Sequence, residues 1–181
     1  LAGVTLDGRF VGDELVFEGR GSTARGDLQL DGRFAWPENI MTGGMRLWGE
    51  DLQVADTPAF RIVASPDLTF TAGRDGFDVT GQVLIPMARI TPRDLTTRVT
   101  TSSDERIVGL EVADLGPSTL ERLRTRIRVE LGDNVRVNSS GLRATLEGGV
   151  TVITRPGDVA RGDGASRVKE GEYKGRGQFV R

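Results

Sequence analysis

Residues 141–157, GLRATLEGGVTVITRPG, decide how this chain folds. Leu142, Ala144, Leu146, Val150 and Val152 all occupy even positions, and Gly148 takes the even place between Leu146 and Val150. Strict alternation marks a strand with one apolar and one wet face. The Gly148–Gly149 pair is also what a tight hairpin uses. Two readings are therefore open: the chain turns back at the glycines, or one long strand bends there and keeps its apolar face.

The same arrangement, apolar residues at every second position with glycine in one inward place, recurs along the chain. It appears as Val4, Leu6, Gly8, Phe10; as Leu28, Leu30, Gly32, Phe34, extended by Trp36; and as Phe77, Val79, Gly81, Val83, Ile85. Asp7-Gly8 and Asp31-Gly32 are good hairpin dipeptides. A glycine at an inward position is equally what a strand needs where a sheet folds sharply, because no Cβ collides inside the crease. Kinked strands are the preferred reading, with Gly81 and Gly148 as the creases.

Further alternating segments carry Leu15 and Phe17, Leu68 and Phe70, Ile127, Val129 and Leu131, and Val135 and Val137. Turn signals separate them at Asp75-Gly76, Gly132-Asp133-Asn134 and Pro156-Gly157-Asp158. The pentapeptide LDGRF occurs at 6–10 and again at 30–34, which predicts an internal repeat of about two strands. One helix is predicted after Pro117 in PSTLERLRTRIR, with Ser118 and Glu121 as a capping box and Leu120, Leu123 and Ile127 on one face.

Composition limits the chemistry. The chain has 181 residues, 37% of them hydrophobic and 28% charged, with a net charge of -2 and both signs interspersed. No nucleic-acid partner is expected. Cysteine and histidine are absent, which removes thiolate chemistry, imidazole bases and the commonest metal ligand. No Ser, Lys or carboxylate set has a catalytic arrangement, so no enzyme, metal site or cofactor is expected. GRGSTARG, at 19–26, lacks the Lys-Ser/Thr element of a phosphate loop and reads as a turn. Asp158 and Asp163 lie in a loop without a third ligand for calcium. Arg122, Arg124, Arg126 and Arg128 read as a solvated strand face.

Several gapped motifs, in order, carry a resemblance to the C-terminal region of the TamB family, in the AsmA-like group of bacterial envelope proteins. GQVLIPMARITP supplies Gly81, Val83, Ile85, Pro86, Ala88, Ile90 and Pro92, and SSDERIV supplies the pair Ser103 and Asp104. LGDNVRVNSSGLRATLEGGVTVITRPG follows with Leu131, Gly132, Asp133, Val135, Val137, Gly141, Leu142, Leu146, Gly148, Pro156 and Gly157. EGEYKGRGQ closes the set with Gly171, Tyr173, Gly177 and Gln178; Arg176 stands where the family usually has an aromatic residue.

The resemblance implies an all-β fold in which long glycine-kinked strands fold lengthwise into a U-shaped, β-taco-like trough with an apolar interior. Residues 1–181 would form a single trough segment, a fragment of a longer periplasm-spanning protein anchored in the inner membrane by an N-terminal segment. The implied partners are phospholipid acyl chains and the outer-membrane barrel protein TamA, reached by a segment beyond Arg181. Nascent outer-membrane proteins are the alternative client.

Joined to the alternation, this predicts a groove lining of Phe77, Val79, Val83, Ile85, Val129, Leu131, Val135, Val137, Leu142, Leu146, Val150 and Val152. The expected function is a periplasmic conduit that moves phospholipid between the membranes. The alternative is an assembly factor that holds outer-membrane or autotransporter strands for insertion with TamA. An ordinary closed β core would show the same alternation.

Overall fold

The structure is a computed structural model that describes residues 2–91, 122–139 and 142–173. Ten strands follow in chain order: β1 (Ala2–Val11), β2 (Glu14–Ser22), β3 (Asp27–Ala35), β4 (Thr42–Gly49), β5 (Leu52–Asp56), β6 (Phe60–Gly73), β7 (Gly76–Ile90), β8 (Leu123–Ser139), β9 (Leu142–Thr154) and β10 (Arg161–Tyr173). A 3-10 turn, Pro37–Asn39, lies between β3 and β4. The strands form one open, trough-like sheet in the order β1-β2-β3-β4-β6-β7-β8-β9-β10, with β5 paired to β6. Every pairing is antiparallel except β7 with β8.

The question posed by Gly148 is settled by register. Leu142 to Thr154 is one strand, and Gly8, Gly32 and Gly81 likewise lie inside β1, β3 and β7. The turns fall elsewhere. Gly12, at φ +62°, and Asp13 join β1 to β2. Thr23 closes the next turn: its hydroxyl donates to the Gly26 carbonyl (3.1 Å) and accepts from the Gly26 and Gln53 amides, each at 3.1 Å. The last of these ties the turn to β5.

The LDGRF repeat has a direct structural meaning. Its two copies flank β2 in identical register: Leu6 and Leu30 both face Gly19, Gly8 and Gly32 both face Phe17, and Phe10 and Phe34 both face Leu15. The repeat unit is therefore two strands wide.

Two expectations fail. Leu123 and Ile127, assigned to a helix face, lie in β8; β-branched Thr125, Ile127 and Val129 suit a strand, and parallel pairing with β7 holds them extended. Ser118 and Glu121 of that prediction lie outside the described residues. Gly132-Asp133-Asn134, read as a turn, is instead a bulge inside β8. Leu131 pairs with Gly148 and Val135 with Leu146, so β8 carries two extra residues there. An even insertion preserves the face, and Leu131 and Val135 stay on the same side.

The neighbouring strand β7 responds differently. Ile85 pairs with Leu131 and Ala88 with Val135, one residue short of what β8 uses. Its face therefore switches from the odd positions Val83 and Ile85 to the even positions Ala88 and Ile90. Pro86 sits at the switch, where the position a Cβ on Gly132 would occupy is 2.9 Å from the Pro86 Cα. Similar shifts at Val63/Ser65 in β6 and Val168/Glu170 in β10 continue this line of bulges across half the sheet.

Burial is sparse. The buried apolar residues are Leu52, Val63, Ala64, Ala88, Val135 and Ala144, and among the described residues no large side chain is completely enclosed.

Candidate functional site: the apolar face of the sheet

In a ladder, paired residues project from the same face. One ladder runs from β1 to β10 as Leu6, Gly19, Leu30, Leu47, Leu68, Gly81, Ile127, Val152 and Gly162. A single apolar face thus crosses the whole sheet. The register places every predicted lining residue on it. Phe77 follows Ala72, Val79 follows Phe70, Val83 meets Val129 and then Val150, and Ile85 meets Leu131. Val135 pairs with Leu146, Val137 with Ala144, and Leu142 with Ser139. Leu142 sits at the exposed end of this surface.

Gly81 and Gly148 adopt φ values of +137° and +119°, which L side chains rarely take. A Cβ on Gly81 would lie 2.1 Å from the Asp67 carbonyl oxygen, and one on Gly148 would lie 2.3 Å from that of Ala165. Glycine is therefore needed for close approach of the adjacent backbone. Gly148 adjoins the line of bulges, whereas in β7 that line passes through Pro86 rather than Gly81.

Sequence reasoning left other residues of this apolar face out of the candidate site. Four phenylalanines from β2, β3, β6 and β7 form a row: Phe17 stacks on Phe34 with centroids 5.6 Å apart, Phe34 meets Phe70 edge-on at 6.1 Å, and Phe70 stacks on Phe77 at 5.9 Å. Phe34 and Phe70 reach each other across β4 because Gly43, opposite Phe34, presents no side chain. The readable signal was the Gly43-Gly44 pair beside an apolar strand. Ala88 and Ile90 were also missed, because Pro86 resets the parity of β7. Within this apolar surface the Thr125 hydroxyl is buried without a hydrogen-bond partner.

The opposite face is charged. Arg46 grips Asp67 with two bonds of 2.9 and 3.0 Å, Arg124 grips Asp78 at 2.9 and 3.3 Å, and Arg61 meets Asp56 at 2.9 Å. These hydrogen bonds hold the Asp67 and Asp56 carboxyls below their ordinary value and raise the Arg46 and Arg124 guanidinium groups. Of the arginine run, Arg124, Arg126 and Arg128 face this side, while Arg122 lies in the turn over the Phe77 ring, 5.9 Å from its centroid. A cleft of about 450 Å³ is lined by Asp7, Arg9, Glu18, Asp31 and Arg33 together with Phe17, Met45 and Phe70, and one of about 410 Å³ by Arg89, Arg136, Arg143 and Glu170 together with Val137 and Ala144. The alternation assigns their charged residues to the polar face. Among the described residues no cluster of acidic groups could hold a metal ion, and no helix is long and apolar enough to cross a membrane.

Ten strands, glycine-permitted close approach and one apolar face coincide with a family match. The TamB C-terminal domain model matches residues 17–178. The chain belongs to the TamB family. TamB proteins are non-enzymatic assembly or transport factors associated with the bacterial envelope, and they work with TamA. Membership supports a role in the TamA–TamB outer-membrane protein assembly module. No solved structure matches the chain.

Proposed function

We propose that the apolar face is a carrier surface for phospholipid acyl chains, and that the chain is part of a periplasmic conduit between the inner and outer membranes. The observation that carries this reading is the sparse burial of a face so rich in Leu, Val, Ile and Phe. Full burial of one such side chain is worth about 1.5–3 kcal/mol. A face of this extent that stays largely half-buried therefore favours a hydrophobic occupant. Acyl chains fit it because each buried CH₂ contributes about 0.8 kcal/mol with no directional demand. Val83, Val129 and Val150 form a continuous band where such a chain would lie, with Leu146 and Val135 beyond the bulges.

The test is mass spectrometry of lipids extracted from the protein purified from bacterial envelopes. Val83→Asp and Leu146→Arg provide the controls. On an open face the new charge can reach water, so both variants should fold and lose most bound phospholipid. In a closed core the unpaired charge would unfold the protein. Folded variants that retain full lipid would overturn the reading.

An assembly factor that holds nascent strands is the second reading. The strands β1 and β10 favour it, because among the described residues each has one side without a strand neighbour, where strand addition would occur. Polypeptide rather than lipid recovered with the protein would support it.

A further inference from the structure

We propose that the polar face carries a phosphate-binding site where β7, β8 and β9 lie side by side beyond the bulges, with Arg89 and Arg136 as its main ligands and Arg143 beside them. The inference does not depend on acyl-chain carriage. It comes from arginines that the register sets against one another.

Arg61, Arg89 and Arg136 stand in register across β6, β7 and β8. Neighbouring strands are about 4.8 Å apart, and like charges directly opposite one another destabilise a ladder. Among the described residues no other arginines face each other in this way. Arg61 is relieved by Asp56, its register partner on β5, at 2.9 Å. Arg89 and Arg136 have no such relief: among the described residues neither makes an ion pair or a side-chain hydrogen bond.

The opposed pair lines a concavity. The cleft of about 410 Å³ takes in Arg89, Arg136 and Arg143, with the Asn138 amide and the Thr145 hydroxyl as further donors. Arg143 comes from β9 and pairs with Asn138, two residues along β8 from Arg136 and on the same face. Three guanidinium groups from three strands suit an oxyanion with several acceptor oxygens, because the planar fork binds phosphate through two parallel hydrogen bonds.

The carboxylates of the cleft fix where the anion sits. Glu170 and Glu172 line its β10 wall, Glu170 beyond Thr145 and Glu172 opposite Arg143. Like charge keeps an anion off that wall and places it over Arg89 and Arg136. The whole chain has a net charge of -2, so the attraction is local to this cleft. Free phosphate and the phosphate of a lipid headgroup share the required chemistry.

Pyrophosphate is titrated into the whole chain by calorimetry, and flotation with vesicles of phosphatidylglycerol in phosphatidylcholine separates the two sources. Saturable pyrophosphate binding is expected, weakened about tenfold by Arg89→Gln and by Arg136→Gln. Arg126→Gln, which removes an exposed arginine on the same face of β8 outside the cleft, should leave it unchanged. Without anion, both cleft variants should unfold at higher urea than the parent, because each relieves the opposed pair. Pyrophosphate should then raise the parent's midpoint more than theirs. Flotation that depends on Arg89 and Arg136 assigns the site to a headgroup, and pyrophosphate binding without flotation assigns it to a soluble phosphate. Four results would each overturn the proposal: no saturable binding of either probe, cleft variants that bind like the parent, an equal loss in Arg126→Gln, or anion-free cleft variants less stable than the parent.

Discussion

Gly81 and Asp67 lie on adjacent strands so close that a Cβ on the glycine would sit 2.1 Å from the aspartate carbonyl oxygen. Gly148 stands in the same relation to Ala165 at 2.3 Å. Both glycines also need positive φ, whereas a Cβ on Gly8 would make only ordinary contacts, 3.7 Å from Leu15 and 3.8 Å from Phe17, and Gly8 has no positive φ. Gly81→Ala and Gly148→Ala should each lose about 1–3 kcal/mol of stability in urea denaturation. Gly8→Ala should stay within about 0.5 kcal/mol of the parent. Equal effects at all three positions would show that glycine content, rather than backbone approach, matters.

The ion pairs of the polar face make an acid-side prediction. The Arg46 hydrogen bond holds Asp67 below its ordinary 3.8, and the Arg61 hydrogen bond does the same for Asp56. A carboxyl whose folded value is depressed contributes stability above its unfolded value and loses it as pH falls through the folded one. The contribution should therefore be complete near neutrality and fade below 3.8. Asp67→Asn should flatten the loss of urea stability measured from about pH 6 down to about pH 3. An unchanged slope would mean that the Arg46–Asp67 pair is no stronger than contacts in the unfolded chain.

Thr125 offers the opposite sign. Its hydroxyl is buried without a partner on the apolar face, between Val79 and Thr154 in the ladder. Thr125→Val keeps the shape and removes the unsatisfied group, so the thermal midpoint should rise, with a gain of about 1 kcal/mol. A loss of stability would mean that the hydroxyl is satisfied in solution.

Much of this fold is legible in the sequence because alternation is a local signal. The even series from Leu142 to Val152 and the four glycine-bearing strands needed only the two-residue period of a strand. Signals that depend on a neighbour were not readable. Gly132-Asp133-Asn134 has the composition of a turn, and only the ladders to β7 and β9 show that it is a bulge. Leu123 and Ile127 are spaced for a helix, but a four-residue spacing is also two steps of strand alternation, and β7 decides between them. The phenylalanine row joins strands far apart in sequence, so it depends on strand order. Pro86 was read as a family marker, although its structural effect is to exchange the faces of β7.

The central claim is that the apolar face, and not the charged one, meets lipid. A photo-crosslinking residue placed singly at Val83 and Leu146, with Gln82 and Glu147 as neighbours on the charged side, tests this most directly in protein recovered from envelopes. Phospholipid adducts should form at Val83 and Leu146 and be scarce at Gln82 and Glu147. Adducts of equal yield on both faces, or polypeptide adducts alone at Val83 and Leu146, would contradict the account.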